Sequence, residues 1–219
     1  MKKKVFAFYK PALGGNQAEE MACANLWKTS WEYHGWECVM LNQSHATISP
    51  YHTPLMRKFL AFAYHNPGNG EYENNKATAR FARWCALAAS GGWMTDYDVL
   101  NVGFTPEMAD ELEKKNDLWM NRNGHAWIFY ATVPAVHHVT HHFVEGDTFK
   151  RPGFSSCNLE CDLLEIDEDP FSSNDKLFHA KAEPGKPKSF AMAERFYTFQ
   201  HTPKVGEKEK PKKKTRKKK

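Results

Sequence analysis

The sequence predicts an α/β domain built on a twisted, mostly parallel central sheet flanked by helices, and three observations predict it. A β-branched and aromatic run, Val5 to Tyr9, is followed by a glycine-containing loop and then by helical periodicity. A second short run, "WECVML" at 36–41, comes directly after that helix, an order that pairs strands in parallel through a right-handed crossover. Strand-like and helical segments then keep alternating as far as about residue 145.

Taken in order, Val5 to Tyr9 stops at "KPALGGN", which ends a central first strand. From Gln17 to His34 the residues Met21, Ala24, Leu26, Trp27 and Trp31 recur at helical spacing until Gly35 stops the pattern. Sheets of this kind bind ligands beyond the carboxyl ends of their strands. "PLMRKFLAFAY", 54–64, reads as a short helix opened by Pro54, and "NPGNGEYENN" as a loop of turn formers. "KATARFARWCALAAS", 76–90, has strong helix propensity and ends at Gly91 and Gly92. A strand from Trp93 to Val102 comes next, then a helix from Pro106 to Lys115 with Thr105 as N-cap. "HAWIFYATV" is a further strand, and Pro134 to Val144 a helix with proline at its first position. Residues 145–188 read as mixed loops and turns around one apolar run, Leu163 to Ile166, and loops in that position often complete a site.

Composition narrows the class. A chain of 219 residues with 41% apolar and 14% aromatic side chains can build a sizeable core in one ordinary domain, here residues 1–203. The formal charge of +4 conceals a division: "KVGEKEKPKKKTRKKK", 204–219, carries ten Lys or Arg against two Glu, a net +8, which leaves −4 on residues 1–203. The basic pI therefore comes from the tail rather than from a basic face of the fold and no clear nucleic-acid partner is expected, while the Lys-rich tail is expected to be disordered in isolation. The five cysteines, Cys23, Cys38, Cys85, Cys157 and Cys161, are odd in number and read as reduced thiols. No stretch approaches the roughly 18 apolar residues of a membrane span, so a soluble, cytoplasmic protein is expected.

Two aspartates, Asp96 and Asp98, stand inside "GGWMTDYDVLN", 91–101, a stretch that otherwise reads as buried strand. In a strand alternate side chains share a face, so both carboxylates would point one way and Tyr97 the other. Like-directed carboxylates repel, and burying them without compensation is costly. A hard divalent cation supplies that compensation, because Mg²⁺ or Mn²⁺ takes carboxylate oxygens and keeps positions open for phosphate oxygens. The alternative is a solvated pair on an edge strand or turn.

The longer segment "ARFARWCALAASGGWMTDYDVLN" resembles that of GT-A glycosyltransferases of the capsular-polysaccharide and initiating-mannosyltransferase type. There a helix carrying an arginine runs into Gly-Gly, two apolar residues, a variable residue and Asp-x-Asp, a pattern that falls here on Arg83, Gly91, Gly92, Trp93, Met94, Asp96 and Asp98. Arg80 departs from it, standing where those members carry an acidic residue, so their sugar and stereochemistry do not transfer. The resemblance implies the GT-A fold and transfer of a sugar from a nucleotide diphosphate sugar, a uridine one, to a hydroxyl on a glycan, lipid or protein. It implies Mn²⁺ or Mg²⁺ held directly by Asp98, with Asp96 facing the ribose or reaching the metal through water. Arg83 would neutralise or orient the pair, the alternative being an ordinary salt bridge. "VFAFYKP" is similar to the first strand of the nucleotide-binding half, which would bring Phe8, Tyr9 and Lys10 near the base. "KLFHAKAEPGKPKSF", 176–190, is similar to a late motif in which a histidine completes the metal shell and Gly-Lys-Pro cradles the diphosphate. Its residues here are His179, Gly185 and Lys186, with Lys181 beside them.

An inverting transferase also needs a carboxylate base within reach of the acceptor hydroxyl. "FVEGDTF" offers Glu145 and Asp147, and "CDLLEIDED" offers Asp162, Glu165 and Asp167. Aromatic residues in the expected acceptor groove, Phe149, Phe154, Phe171 and Phe178, suit sugar stacking or core packing. A competing metal signal lies in "VPAVHHVTHHFVEG", where His137 and His141, and His138 and His142, pair at helical i, i+4 spacing. No Glu follows the first histidine as the metalloprotease motif requires. The alternative places Val136, Val139 and Phe143 in the core and leaves histidines to solvent. The basic tail admits a second class of function, a non-enzymatic binding protein acting on nucleic acid or anionic membrane. For a transferase the same tail would give peripheral membrane contact beside a glycolipid acceptor.

Overall fold

Strand β1 (Lys4–Phe8) is buried on both faces, because Val5 and Ala7 turn into one apolar cluster while Phe6 and Phe8 turn into the other. The computed structural model describes residues 2–11, 15–65, 70–121, 127–145, 176–180 and 185–201, with backbone alone for 59, 61–65 and 70–77. Within it β1 belongs to a five-stranded sheet whose spatial order is β2 (Glu37–Leu41), β1, β3 (Gly92–Thr95), β6 (Ile128–Ala131) and β5 (Leu118–Met120). Parallel pairing joins β1 to β2, with Val5 opposite Cys38, and to β3, with Val5 opposite Trp93. Strand β6 is antiparallel to both β3 and β5, so four of the five strands point one way and one is reversed. The mostly parallel α/β sheet that the sequence predicts is present in this mixed form.

Helix α1 (Gln17–Tyr33) makes the crossover between β1 and β2, starting where the Asn16 side chain accepts a hydrogen bond from the Glu19 N–H. With α5 (Pro106–Glu113) and α7 (Lys188–His201) it supplies one face of the sheet, where Cys23, Trp27, Ala109, Met192 and Phe196 are buried. The opposite face is covered by α3 (His52–His65), α4 (Gly70–Leu87) and α6 (Val133–Glu145), through Leu55, Phe81, Trp84, Val136 and Phe143. Trp84 stacks on Phe129 at 4.1 Å, which ties α4 to β6. No described helix is long and apolar enough to cross a membrane.

The exit from α4 explains the glycine pair. Gly91 has φ +58° and its N–H donates to the Leu87 carbonyl, the left-handed cap that glycine takes without steric penalty. A Cβ there would also lie 2.8 Å from the Ala131 carbonyl oxygen, so the strand β6 approaches as closely as it does only because the side chain is missing.

Several expectations change. The strand expected from Trp93 to Val102 is two strands: β3 ends at Thr95, Asp96–Asp98 form a turn closed by the Val99 N–H on the Asp96 carbonyl, and β4 (Val99–Asn101) leaves the main sheet. It pairs antiparallel with β7 (Leu177–His179), a strand inside what reads as loop in the sequence. The alternation argument for the aspartates therefore does not apply, and a turn replaces it. Helix α4 begins at Gly70, inside the stretch expected to be a loop, and α2 (Gln43–Thr47), β5 and α7 are additional to the elements the sequence predicts. Thr105 occupies the N-cap of α5 but makes no side-chain cap bond, and α6 starts one residue before Pro134. Residues 204–219 lie outside the described residues, as do Cys157, Cys161 and the run Leu163 to Ile166.

Candidate metal centre

Three indole N–H groups on or beside α1 hold the path of the chain through this turn. Trp27 donates to the Thr95 hydroxyl at 2.7 Å, Trp31 to the Val99 carbonyl at 3.0 Å, and Trp36 to the Phe104 carbonyl at 2.9 Å, all in buried surroundings. The end of β3 and the start of β4 are thus fixed to one rigid helix. Between them the Asp96 N–H donates to the Trp127 carbonyl and the Ala180 N–H donates to the Asp98 carbonyl. Each aspartate is pinned through its backbone to a different neighbouring segment.

Register does the rest. Val99 stands opposite His179 in the β4–β7 pair, which brings the imidazole beside the turn. Ligand atoms of Asp96, Asp98 and His179 all lie within 4.8 Å of one another, the one group of three or more such side chains found among the described residues that can hold a metal ion. His179 Nε2 is 3.4 Å from Asp98 Oδ1, and its ring stacks on Trp127 with centroids 5.7 Å apart and planes at 22°. The site lies at the carboxyl ends of the parallel strands β1 and β3, where α/β sheets offer ligands a crevice.

Two cations complete the cluster. Arg83, on the last turns of α4, is 3% exposed; its Nη1 is 2.7 Å from Asp96 Oδ1 and its guanidinium lies 5.1 Å from the Phe129 ring centroid. Lys188, the first residue of α7, places Nζ 2.5 Å from Asp98 Oδ2. Asp98 feels its own burial, which raises its pKa, but the hydrogen bond and charge of His179 together with the Lys188 ammonium outweigh it and hold the carboxyl at about 2. Asp96 moves the other way, raised by desolvation first and by the charge on Asp98, against the pull of Arg83. Two adjacent carboxylates sharing one field separate in this manner. For His179 and Lys188 burial favours the neutral form, yet the neighbouring carboxylates prevail and both are raised.

The other anticipated residues are placed unevenly around this cluster. Tyr9 meets Tyr97 edge to face at 5.7 Å and donates from its hydroxyl to Glu20, so the end of β1 does adjoin the aspartate turn. Lys10 is half-buried, with its pKa lowered by desolvation. Phe8 is buried in the core with Phe6 and Leu41. Lys186 pairs with Glu194 at 3.2 Å and lies over Phe190. Glu145 is exposed as the last residue of α6, and Phe178 in β7 lies 6.0 Å from Arg195. Lys181, Asp147, Asp162, Glu165, Asp167, Phe149, Phe154 and Phe171 lie outside the described residues. On α6 the alternative reading holds: Val136, Val139 and Phe143 are buried, His138, His141 and His142 are exposed, and His137 and His141 face Tyr51.

Sequence reasoning missed Lys188, Trp127 and the strap that carries Lys188. Glu19 of α1 accepts the N–H and the hydroxyl of Ser189, each at 2.6 Å, and so fixes the start of α7 against the start of α1. Glu19 and Ser189 are 170 residues apart, and no local signal joins them. No family model, no curated protein and no solved structure matches this chain.

Proposed function

We propose that the protein is a metal-dependent glycosyltransferase of the GT-A type, moving a sugar from a nucleotide diphosphate sugar, a uridine one, to a hydroxyl on a glycan or glycolipid acceptor. The observation that carries this reading is the convergence of Asp96, Asp98 and His179 on one point at the strand ends, flanked by Arg83 and Lys188. Two carboxylates and one imidazole are a donor set for a hard or borderline divalent ion, and Asp98, ionised and only 11% exposed, is its natural first ligand.

Charge supports the same conclusion. A metal-ligating His179 must be neutral, and then the two carboxylates balance Arg83 and Lys188 and the divalent cation leaves the cluster with a net positive charge of two, suited to a diphosphate. A cation bound there would stabilise, as a Lewis acid, the charge that develops on a departing nucleoside diphosphate. The remaining tasks fall to the chain itself. Arg83 holds Asp96 in one orientation from beneath, Trp127 limits the rotation of His179, and the Tyr9–Tyr97 pair offers aromatic edges beside the turn where a base would pack.

Calorimetric titration of UDP into the full chain, first with Mn²⁺ and then with excess chelator, tests the reading. Binding that requires the metal is expected. Absence of binding by UDP and by GDP under both conditions would return the aspartate pair to a structural turn.

A further inference from the structure

The Lys188 ammonium draws on the Asp98 carboxylate as a divalent cation would. Its ammonium takes Asp98 Oδ2 while Oδ1 faces His179, so both oxygens of this carboxylate already have partners. The two members of the pair differ in freedom. The Asp98 side chain is 11% exposed and held in a turn, whereas that of Lys188 is 37% exposed. The backbone of Lys188, by contrast, is fixed, because Glu19 accepts hydrogen bonds at the Lys188–Ser189 start of α7. Lys188 is thus a tethered cation whose head group can leave while its root cannot.

From this we infer that Lys188 is a positioning residue that gates the metal centre: it competes with the divalent cation for Asp98 and is drawn off by the phosphate groups of the ligand. The inference rests on the metal reading of the Asp96, Asp98 and His179 group. An ammonium and a divalent ion on one partly buried carboxylate repel each other, so each weakens the other's hold on Asp98 unless an anion comes between them. A phosphate oxygen does that, because it accepts the Lys188 N–H while leaving Asp98 to the cation. Cation and phosphate then bind with positive coupling, and by linkage each raises the affinity for the other. The protein would bind the bare ion weakly and so avoid being held by a cation that brings no substrate.

The test is Mn²⁺ binding to the full-length protein without any nucleotide, followed by the electron spin resonance signal of the free ion, in the parent protein and in Lys188→Gln, Lys188→Arg and Asp98→Asn. A charge-assisted hydrogen bond holds an equilibrium over by roughly tenfold or more, so Lys188→Gln should tighten Mn²⁺ binding by that factor. Lys188→Arg, whose fork grips a carboxylate with two hydrogen bonds, should bind Mn²⁺ no better than the parent, and more weakly if both are formed. A purely structural lysine would give the opposite order, with Gln weakening the site and Arg rescuing it. That order, or equal affinities in all three, overturns the gate while loss of binding in Asp98→Asn leaves the metal reading standing. If Asp98→Asn binds Mn²⁺ as the parent does, the metal reading falls and the gate with it. Should Lys188→Gln fail to fold, Lys188→Ala takes its place: Mn²⁺ binding tighter than in the parent is expected, and binding equal to or weaker than the parent's overturns the gate.

Discussion

Two regions of this molecule concentrate groups that can bind metal, and only one of them brings those groups together. Helix α6 carries four histidines within six positions, yet the helix spends its buried face on Val136, Val139 and Phe143, and the imidazoles spread over the remaining surface or pack on Tyr51. The aspartate turn carries only two carboxylates, but the turn directs them to the same end of the sheet, and strand β7 adds His179 from far along the chain. Density of ligating residues in the sequence is therefore a poor guide to a site. Convergence depends on rigid elements that approach from different directions, and here each carboxylate also has a cation beside it.

The largest effect expected to sharpen this contrast comes from Asp98→Ala. It should abolish metal-dependent nucleotide binding, a loss of about a hundredfold or more for a charged ligand in partly buried surroundings, while the fold is retained. Calorimetry with UDP and Mn²⁺ beside a circular dichroism melt separates the two, and an unchanged affinity would sink the assignment. Trp31→Ala should come next. This fully buried indole fills the core under the turn and bonds the Val99 carbonyl, so its removal should cost about 3–5 kcal/mol in urea unfolding and loosen β4. A cost below about 1 kcal/mol would show that α1 does not hold the turn. The smallest effect belongs to the other region: replacing both His137 and His141 by Ala should leave Mn²⁺ affinity as it was and change stability by no more than about 1 kcal/mol through lost contacts with Tyr51. A drop in metal affinity in that variant would make α6 a second metal site and break the comparison.

The run Val5 to Phe8, the amphipathic helix after it and the second strand were readable because their hydrophobic periods are strong and local. The glycine pair was readable as a helix end, for the reason the φ of Gly91 confirms. His179 was singled out by resemblance, and the structure does set it against the aspartates. The turn at Asp96–Asp98 was misread as strand, since apolar residues on both sides give the same pattern for one long strand and for two short ones separated by a tight turn. Strands β5 and β7 are three residues each, too short for any period to register, and they exist only through the partners they pair with. The site's Lys188 stood in a lysine-containing segment with nothing to distinguish it from Lys186 until Glu19 and Ser189 fixed where α7 begins.

By itself, then, the sequence determined the class of the fold, the parallel βαβ start, the helix that ends at Gly91 and the presence of two carboxylates in an apolar setting, because each depends on interactions between residues near in the chain. Only the tertiary structure decided that β6 runs against its neighbours, that the aspartates sit on a turn, and that His179, Arg83 and Lys188 surround them. Those are pairings across 13 to 90 residues of chain, and their geometry follows from how the two apolar faces of one sheet are filled.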